Sequence, residues 1–205
     1  MKKLLLLVVS LLVVSVVVAQ EHDVDGKFLL DIGYGAAVTQ NYSAVSLFND
    51  ATESYRPVEG NFFAGIKGRH SKTYYGIKVT CLGGNTIQPY EEKYVMTALQ
   101  ASSRQYFPLA KNIDVWFGEG VGVALLKNKI NPIGGSESVN RFTASVAFDM
   151  GLAYKIYHNS YAGLSGGLFC MPVFKHGYDL PVGTVRNHND HIFGYQLMLN
   201  VGVAF

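Results

Sequence analysis

Polar and apolar residues alternate along most of this chain, and the alternation is clearest at its C-terminal end. From His191 to Phe205 the odd-numbered positions are mainly large and apolar, whereas the even-numbered positions are mainly small or polar. A period of two residues is that of a β-strand, because successive side chains point to opposite faces of a sheet. The segment is therefore predicted to be a strand with one apolar and one polar face.

Seven further strands are predicted at about residues 27–38, 58–67, 75–80, 92–107, 113–125, 142–155 and 161–173. The links between the eight strands alternate in length. Short links are predicted at residues 68–72, 108–112 and 158–160, and longer ones at 39–57, 83–91, 127–140 and 174–190. Short turns at one end and longer loops at the other are typical of an up-and-down β-barrel that crosses a membrane, although alternation alone also fits a soluble sandwich.

The first residues predict export. Lys2 and Lys3 precede an apolar run, and the small residues Val17 and Ala19 come before Gln20. This pattern is that of a signal peptide, and the alternative is an N-terminal membrane anchor. We expect residues 1–19 to be the signal and residues 20–205 to form one β-barrel domain.

Composition narrows the class further. The chain has 22 Gly, 13 Tyr and 12 Phe, and after the signal no apolar run approaches the length of a membrane-spanning helix. Any membrane insertion must then come from a closed barrel, whose backbone groups pair between strands. Lys and Arg are scattered and the formal net charge is only +2, so nucleic acid is not expected as a partner.

Aromatic residues cluster around the short links. They are Tyr74, Tyr75, Tyr106, Phe107, Tyr154, Tyr157, Tyr161 and Phe205. Because amphipathic rings favour the membrane interface, these residues predict an aromatic girdle at one rim of the barrel.

The ending YQLMLNVGVAF, together with the architecture, resembles the small outer-membrane barrels of the OmpA transmembrane and OmpX type in Gram-negative bacteria. The resemblance covers the whole mature chain. It implies an eight-stranded antiparallel up-and-down transmembrane barrel in the cell outer membrane, with both termini in the periplasm. It also implies that the alternating apolar residues up to the terminal Phe are the signal read by the barrel-assembly machinery. These residues are Tyr195, Leu197, Leu199, Val201, Val203 and Phe205.

The polar face of the strands would then point into the lumen. It carries four acids and four bases, which are Asp31, Glu59, Asp114, Asp149, Lys67, Lys78, Arg104 and Lys155. An eight-stranded barrel is just wide enough for side chains to fill, and buried charges must pair to be tolerated. We expect a lumen plugged by a polar network, with glycines on the same face relieving crowding.

Glu119 does not fit this scheme, because strict alternation with Val115, Phe117 and Val121 places it on the lipid-facing side. A β-bulge in the surrounding glycine-rich stretch would turn it inward. We expect the bulge, while an intramembrane carboxylate is by default a functional candidate.

Other candidate chemistry is weak. His188, Asp190 and His191, with His176 nearby, match no zinc spacing, and Cys81 and Cys170 are expected to be free residues on strands. His158-Asn159-Ser160 resembles the His-x-Ser of lipid A deacylases, in which histidine activates a serine nucleophile. It lies in a predicted inner turn, away from lipid A, with no acid at the expected spacing. Neither a catalytic site, a metal site nor a cofactor is expected.

The expected function is a structural, adhesive or surface-recognition role of the outer loops, above all residues 39–57 with Tyr42, Phe48 and Tyr55. The alternatives are a narrow channel and, less favoured, a lipid A-modifying enzyme. Expected partners are outer-membrane lipid and lipopolysaccharide, the barrel-assembly machinery and an extracellular protein or cell-surface ligand. The protein is expected to be a monomer.

Overall fold

The computed structural model describes residues 26–39, 52–53, 58–69, 72–88, 92–130, 137–157, 159–174, 178–180, 183–185 and 189–205. The strands in these ranges are β1 (Phe28–Thr39), β2 (Thr52–Glu53), β3 (Val58–Lys67), β4 (Thr73–Gln88), β5 (Glu92–Ala110), β6 (Ile113–Ile130), β7 (Glu137–Tyr157), β8 (Ser160–Phe174), β9 (Tyr178–Leu180), β10 (Gly183–Val185) and β11 (Asn189–Ala204). Among the described residues there is no helix long and apolar enough to cross a membrane. The predicted signal segment lies outside these ranges.

Eight of the strands form one closed antiparallel barrel. Neighbours pair in chain order through β1, β3, β4, β5, β6, β7, β8 and β11, and β11 then pairs with β1. Closure satisfies the backbone groups of every barrel strand on both sides and leaves no sheet edge. The predicted eight-stranded up-and-down barrel is confirmed.

The apolar face of the strands points away from the barrel axis. Phe142 is 72% exposed and Leu199 is 71% exposed, and comparable residues cover the outside of the other barrel strands. A soluble sandwich would turn this face into its core, so that alternative is excluded. Apolar outside and polar inside is the pattern of a barrel built for a hydrocarbon surround.

One rim of the barrel carries both ends of the barrel domain and the short links. The amide of Phe28 donates to the carbonyl of Phe205 at 2.7 Å, and the amide of Phe205 donates back at 2.9 Å. β1 starts at this rim, and the chain returns to it after every second barrel strand. The connections from β3 to β4, from β5 to β6 and from β7 to β8 therefore lie at the same rim. We call it the terminal rim.

Several links are shorter than the sequence predicts. β4 continues to Gln88 and β5 begins at Glu92, so most of the expected loop at residues 83–91 is strand and the strict alternation of short and long links is wrong there. Glycines suggested a loop, but Gly84 faces inward and leaves the space that the Tyr94 ring occupies. The expected turn at residues 108–112 shrinks to Lys111 and Asn112, and strand occupies residues 127–130 and 137–140 of the loop expected at 127–140.

Short strands occupy parts of the two other predicted loops. β2 pairs with β4 and so extends one wall of the barrel, while β9 and β10 pair only with each other. Both features lie at the rim opposite the terminal rim, which we call the open-loop rim. Parts of the predicted loops at this end are therefore sheet.

The predicted aromatic girdle is only half right. Tyr75, Phe107, Tyr154 and Phe205 are exposed on the outside near the terminal rim, as expected. Tyr74, Tyr106 and Tyr161 instead are buried in the lumen, since each stands at the opposite parity of the strand alternation. The side chain of Tyr157 lies outside the described residues.

Candidate functional site

The lumen is the candidate site, and near the terminal rim it is filled by a cationic side chain between aromatic rings. The Arg104 guanidinium lies 4.4 Å from the centroid of Phe63 and 4.4 Å from that of Trp116. A guanidinium over an aromatic face is attracted by the ring quadrupole, more strongly where water is excluded. Arg104 is only 1% exposed, so these rings replace its hydration shell from two sides.

Asp31 supplies the countercharge to Arg104. Arg104 Nη1 lies 2.8 Å from Asp31 Oδ1, and the two side chains form an ion pair. The carboxylate also accepts hydrogen bonds from the Tyr161 hydroxyl at 2.7 Å and from Asn200 Nδ2 at 3.0 Å. The charge of Asp31 is thus compensated by one cation and two neutral donors, as a buried carboxylate requires.

Further aromatic side chains complete this layer. Tyr106 lies edge-on to Tyr74 and to Tyr161, and it is tilted against Trp116 at a centroid distance of 6.3 Å. Space for the Trp116 ring comes from Gly151, where a Cβ atom would lie 2.6 Å from the indole nitrogen. We call the set formed by Asp31, Phe63, Arg104, Tyr106, Trp116 and Tyr161 the arginine plug.

A second ion pair lies further along the lumen. Lys78 Nζ contacts Asp149 Oδ2 at 2.5 Å, and Gln196 Nε2 donates to Asp149 Oδ1 at 2.7 Å. Gln100 Nε2 donates to the Ser145 hydroxyl at 2.8 Å on the neighbouring wall. Together these side chains connect four different strands across the barrel.

Glu59 lies beside this pair but does not join it. It is 1% exposed, and neither carboxylate oxygen accepts a hydrogen bond within the described part of the chain. It lines a cavity of about 10 Å³ with Lys78, Thr80 and Gln100, which is room for about one water molecule. With Glu59 beside the matched pair, this layer contains two acidic side chains and one basic one.

The lumen contains a third polar group toward the open-loop rim. Asn128 Nδ2 donates to Glu92 Oε1 at 2.6 Å, and Arg141 Nη2 donates to Asn128 Oδ1 at 2.8 Å. All three residues are buried, with Arg141 the most exposed at 3%. Sequence reasoning missed this group, because Asn128 lies in a segment read as loop and Arg141 at its edge, where alternation gave no signal.

The eight charged residues predicted for the lumen thus have different environments. Asp31 with Arg104, and Lys78 with Asp149, form the two ion pairs, while Glu59 and Asp114 are buried. Lys67 and Lys155 are half-buried, near the ends of β3 and β7 at the terminal rim. The structure brings Asp31 to Arg104 and Lys78 to Asp149, while Lys67 and Lys155 lie closer to the terminal rim than these pairs.

No protein-family model matches the chain. No curated protein matches it either. Among solved structures, the chain is similar to neisserial surface protein A (NspA), with 14% identity over 90% of this chain and 100% of that chain, at a TM-score of 0.55. It is also similar to Ail, the attachment invasion locus protein of Yersinia pestis, with 16% identity, coverage of 88% and 99%, and a TM-score of 0.47. The N-terminal β-barrel domain of Pseudomonas aeruginosa OprF has 12% identity to the chain, with coverage of 87% of this chain and 99% of that chain and a TM-score of 0.38.

The chain has the fold of the small outer-membrane β-barrels. Its own register and closure agree with this assignment, and the NspA structure matches the barrel over nearly its entire length. At these identities the likeness extends to the fold alone.

In this fold the last strand is the one that completes the barrel. The predicted assembly residues Tyr195, Leu197, Leu199, Val201, Val203 and Phe205 all lie on the outward face of β11, and Val203 is the least exposed of them. The Phe205 ring stacks on Phe28 of β1 at a centroid distance of 5.7 Å. The apolar row is therefore presented outward along the closing seam of the barrel.

Glu119 is on the outside of the barrel, and the bulge expected from sequence is wrong. The register runs without a shift from Ser103 through Glu119 to Phe148, so β6 keeps its alternation across the glycines. The glycines Gly118, Gly120 and Gly122 face inward, where space is short, rather than bending the strand. In a membrane barrel an outward charge near the midplane costs about 2–4 kcal/mol for Lys or Arg, and less for an acid.

The remaining candidates from sequence give no site in the described residues. Cys81 and Cys170 are free, and no group of three metal-ligating side chains occurs in these ranges. His191 is exposed on the outside of β11, while His158, His176 and His188 lie outside the described residues. The His158-Asn159-Ser160 triplet is accordingly described only from Asn159 onward.

Proposed function

We propose that this protein is an outer-membrane barrel that conducts no ions and serves as a structural and recognition scaffold at the cell surface. The observation that carries the proposal is the arginine plug, in which a paired guanidinium between two aromatic rings fills the cross-section of the lumen. A permeating ion would have to separate Arg104 from Asp31 and from the rings of Phe63 and Trp116. Separating a buried pair exposes an uncompensated charge, which is strongly unfavourable.

The layers beyond the plug support the same function. The Lys78–Asp149 pair and the Glu92–Asn128–Arg141 group lie in series with it along the lumen. The cavity between Glu59 and Lys78 holds about one water, far less than a continuous aqueous path. We assign the barrel no catalytic step.

Planar-bilayer recording of the purified protein tests this part of the proposal. We expect no stepwise current for the natural chain over a voltage range that leaves the bilayer intact. The matched variant is Arg104→Ala with Trp116→Ala, which removes the centre of the plug and is expected to give measurable current steps. Stepwise conductance of the natural chain would overturn the proposal.

The proposal places the terminal rim in the periplasm and the open-loop rim outside the cell. β5, β6 and β7 have 19, 18 and 21 residues, whereas about 9–11 residues suffice for a tilted strand to cross a bilayer. The surplus at the open-loop rim forms a raised wall above the apolar band. The predicted recognition loop at residues 39–57 is described only at Thr39 and at β2, which pairs onto this wall through β4.

Three exposed lysines on the wall indicate the chemistry of one partner. Lys93 of β5 lies directly opposite Lys129 of β6, and Lys127 follows the last apolar outward residue of β6, Leu125. Like charges directly opposite one another destabilise a sheet unless an anion lies between them. We assign this position to the phosphate groups of lipopolysaccharide in the outer leaflet, which would meet the barrel just above its apolar band.

Binding of fluorescent lipopolysaccharide to the detergent-solubilised barrel tests this assignment. Replacing Lys93, Lys127 and Lys129 by Gln is expected to weaken binding, and the loss should be smaller at high salt because exposed charges are screened. The matched control replaces Lys27, Lys72 and Lys111 at the terminal rim, which removes the same charge. Equal affinity of the two triple variants would contradict the assignment.

A further inference from the structure

One strip of the lipid-facing surface differs from the rest. On β5 the outward residues from Ala101 to Gln105 are small or polar, whereas on β11, across the barrel, they are large and apolar, as at Leu197 and Leu199. Glu119 of β6 joins this strip beside Ser103. We call Ala101, Ser103, Gln105 and Glu119 the polar patch.

Glu119 occupies the middle of an otherwise apolar row. The outward positions of β6 on either side of it are Val115, Phe117, Val121, Val123 and Leu125. Its carboxylate has one weak neighbouring donor, the Ser103 hydroxyl at 3.4 Å, while the Ser102 hydroxyl donates to the Glu119 main-chain carbonyl at 2.7 Å. Hydrocarbon chains offer no further donor, so lipid is a poor neighbour for this group.

The outer surface around Ser103 and Glu119 is concave. Two adjoining depressions of about 620 and 500 Å³ share Tyr75, Ser103, Glu119 and Phe148 among their lining residues. Small residues form the floor, including Gly166 in one depression and Ala101 in the other. Bulky rims around a floor of small residues allow another protein surface to approach the backbone closely.

We propose that the polar patch is the contact surface between two copies of this chain in the membrane. A two-fold axis along the membrane normal, passing between β5 and β6, would place Ser103 of one copy opposite Glu119 of the other, and the reverse. The pair is self-complementary, because the two neighbouring strands present a donor and an acceptor at the same register position. No partner of another sequence is needed to satisfy both groups, and the proposal differs from the monomer expected from the sequence.

Cysteine cross-linking in membranes tests the geometry. The background carries Cys81→Ser and Cys170→Ser. In it, the variant Ala101→Cys places a thiol beside the proposed axis, because Ala101–Val121 and Ser103–Glu119 are successive outward pairs of β5 and β6. The matched control is Leu199→Cys on β11, an exposed outward position on the far side of the barrel. Mild oxidation should give a disulfide-linked dimer for Ala101→Cys and little for Leu199→Cys. Equal yields, or no dimer for Ala101→Cys, would overturn the proposal.

A second comparison tests the role of the carboxyl group itself. Added to Ala101→Cys, Glu119→Gln keeps a hydrogen-bonding side chain, whereas Glu119→Leu removes it. We expect Glu119→Leu to lower the dimer yield at fixed protein-to-lipid ratio by roughly five- to tenfold. This is the effect of losing two polar contacts as strong as those between membrane helices. Glu119→Gln is expected to retain most of the dimer. Heat-modifiable migration confirms that each variant is folded. An undiminished yield for Glu119→Leu would show that the Glu119–Ser103 contacts do not hold the two copies together and would overturn the proposal, and this outcome is independent of whether the lumen conducts.

Discussion

Arg104 and Asp31 form a 2.8 Å ion pair across the barrel, from β5 to β1, at a point where the lumen is closed by aromatic rings. Neither residue is more than 1% exposed. The two strands are not neighbours in the sheet, so the pair braces the barrel across its interior rather than along its wall. This relationship predicts how the barrel responds when one charge is removed.

Arg104→Met is expected to lower the free energy of unfolding by about 3–5 kcal/mol, because it leaves the Asp31 carboxylate buried without its cation. Urea unfolding of the barrel in lipid vesicles measures the change. The double variant Arg104→Met with Asp31→Leu should recover much of the loss, since no uncompensated charge remains. A double variant as unstable as the sum of its single changes would show that the two charges do not interact.

Glu59 and Asp149 offer a matched comparison of two buried acids in one layer. Asp149→Asn removes the partner of Lys78 and is expected to destabilise the barrel by about 3–5 kcal/mol, the range for breaking a buried pair. Glu59→Gln replaces an acid whose oxygens accept no hydrogen bond from the described residues, so stability should be unchanged or higher. Both are read from the same urea titrations. A loss for Glu59→Gln as large as that for Asp149→Asn would mean that Glu59 balances Lys78 as much as Asp149 does.

The contrast between these two acids also marks the limit of prediction from sequence. Alternation placed both residues on the inner face, because the period of two fixes which side of a strand a residue faces. It could not say which acid meets Lys78, since that depends on how strands far apart in the chain are brought across the lumen. The Glu92–Asn128–Arg141 group is missed for another reason: its members stand on the neighbouring strands β5, β6 and β7, but Asn128 lies in a segment that the sequence predicts as loop.

The alternation of inward and outward positions also explains why the sequence predictions for the tyrosines and for Glu119 are wrong. Tyr74 and Tyr106 were grouped with the outer girdle by their nearness to turns, although each is one residue away from an outward position. Glu119 was turned inward on chemical grounds, against its parity, and the unbroken register shows that parity was the better guide. A one-residue slip would move every side chain of β6 to the other face, so a single residue of unsuitable polarity does not change the register.

Gly151 is expected to be a packing position rather than a flexible one. A Cβ atom there would lie within 2.8 Å of three atoms of the Trp116 ring, so Gly151→Ala should destabilise the barrel by about 1–3 kcal/mol through overpacking. Gly60→Ala is the control, because the nearest atom to its Cβ would be 3.8 Å away. Gly151 faces the filled lumen and Gly60 faces outward with open space, so equal unfolding midpoints would exclude overpacking. Loss of the Trp116 near-ultraviolet circular dichroism in Gly151→Ala would locate the disturbance at the plug.

Phe205 distinguishes a stabilising contact from an assembly signal. Its ring stacks on Phe28, and the main chains of the two residues exchange two hydrogen bonds. Phe205 is nevertheless 56% exposed, and these contacts are all to β1. Deleting it is expected to reduce the amount of folded barrel in the outer membrane several-fold, while refolding of the purified chain into detergent changes little. Phe28→Leu removes the same ring contact but leaves the C-terminus intact, so it should assemble normally in cells. If both variants fail in cells and in detergent alike, the stacked pair stabilises the barrel and the terminal ring is not read by the assembly machinery. Heat-modifiable migration of the membrane fraction, compared with refolding yield, separates these two outcomes.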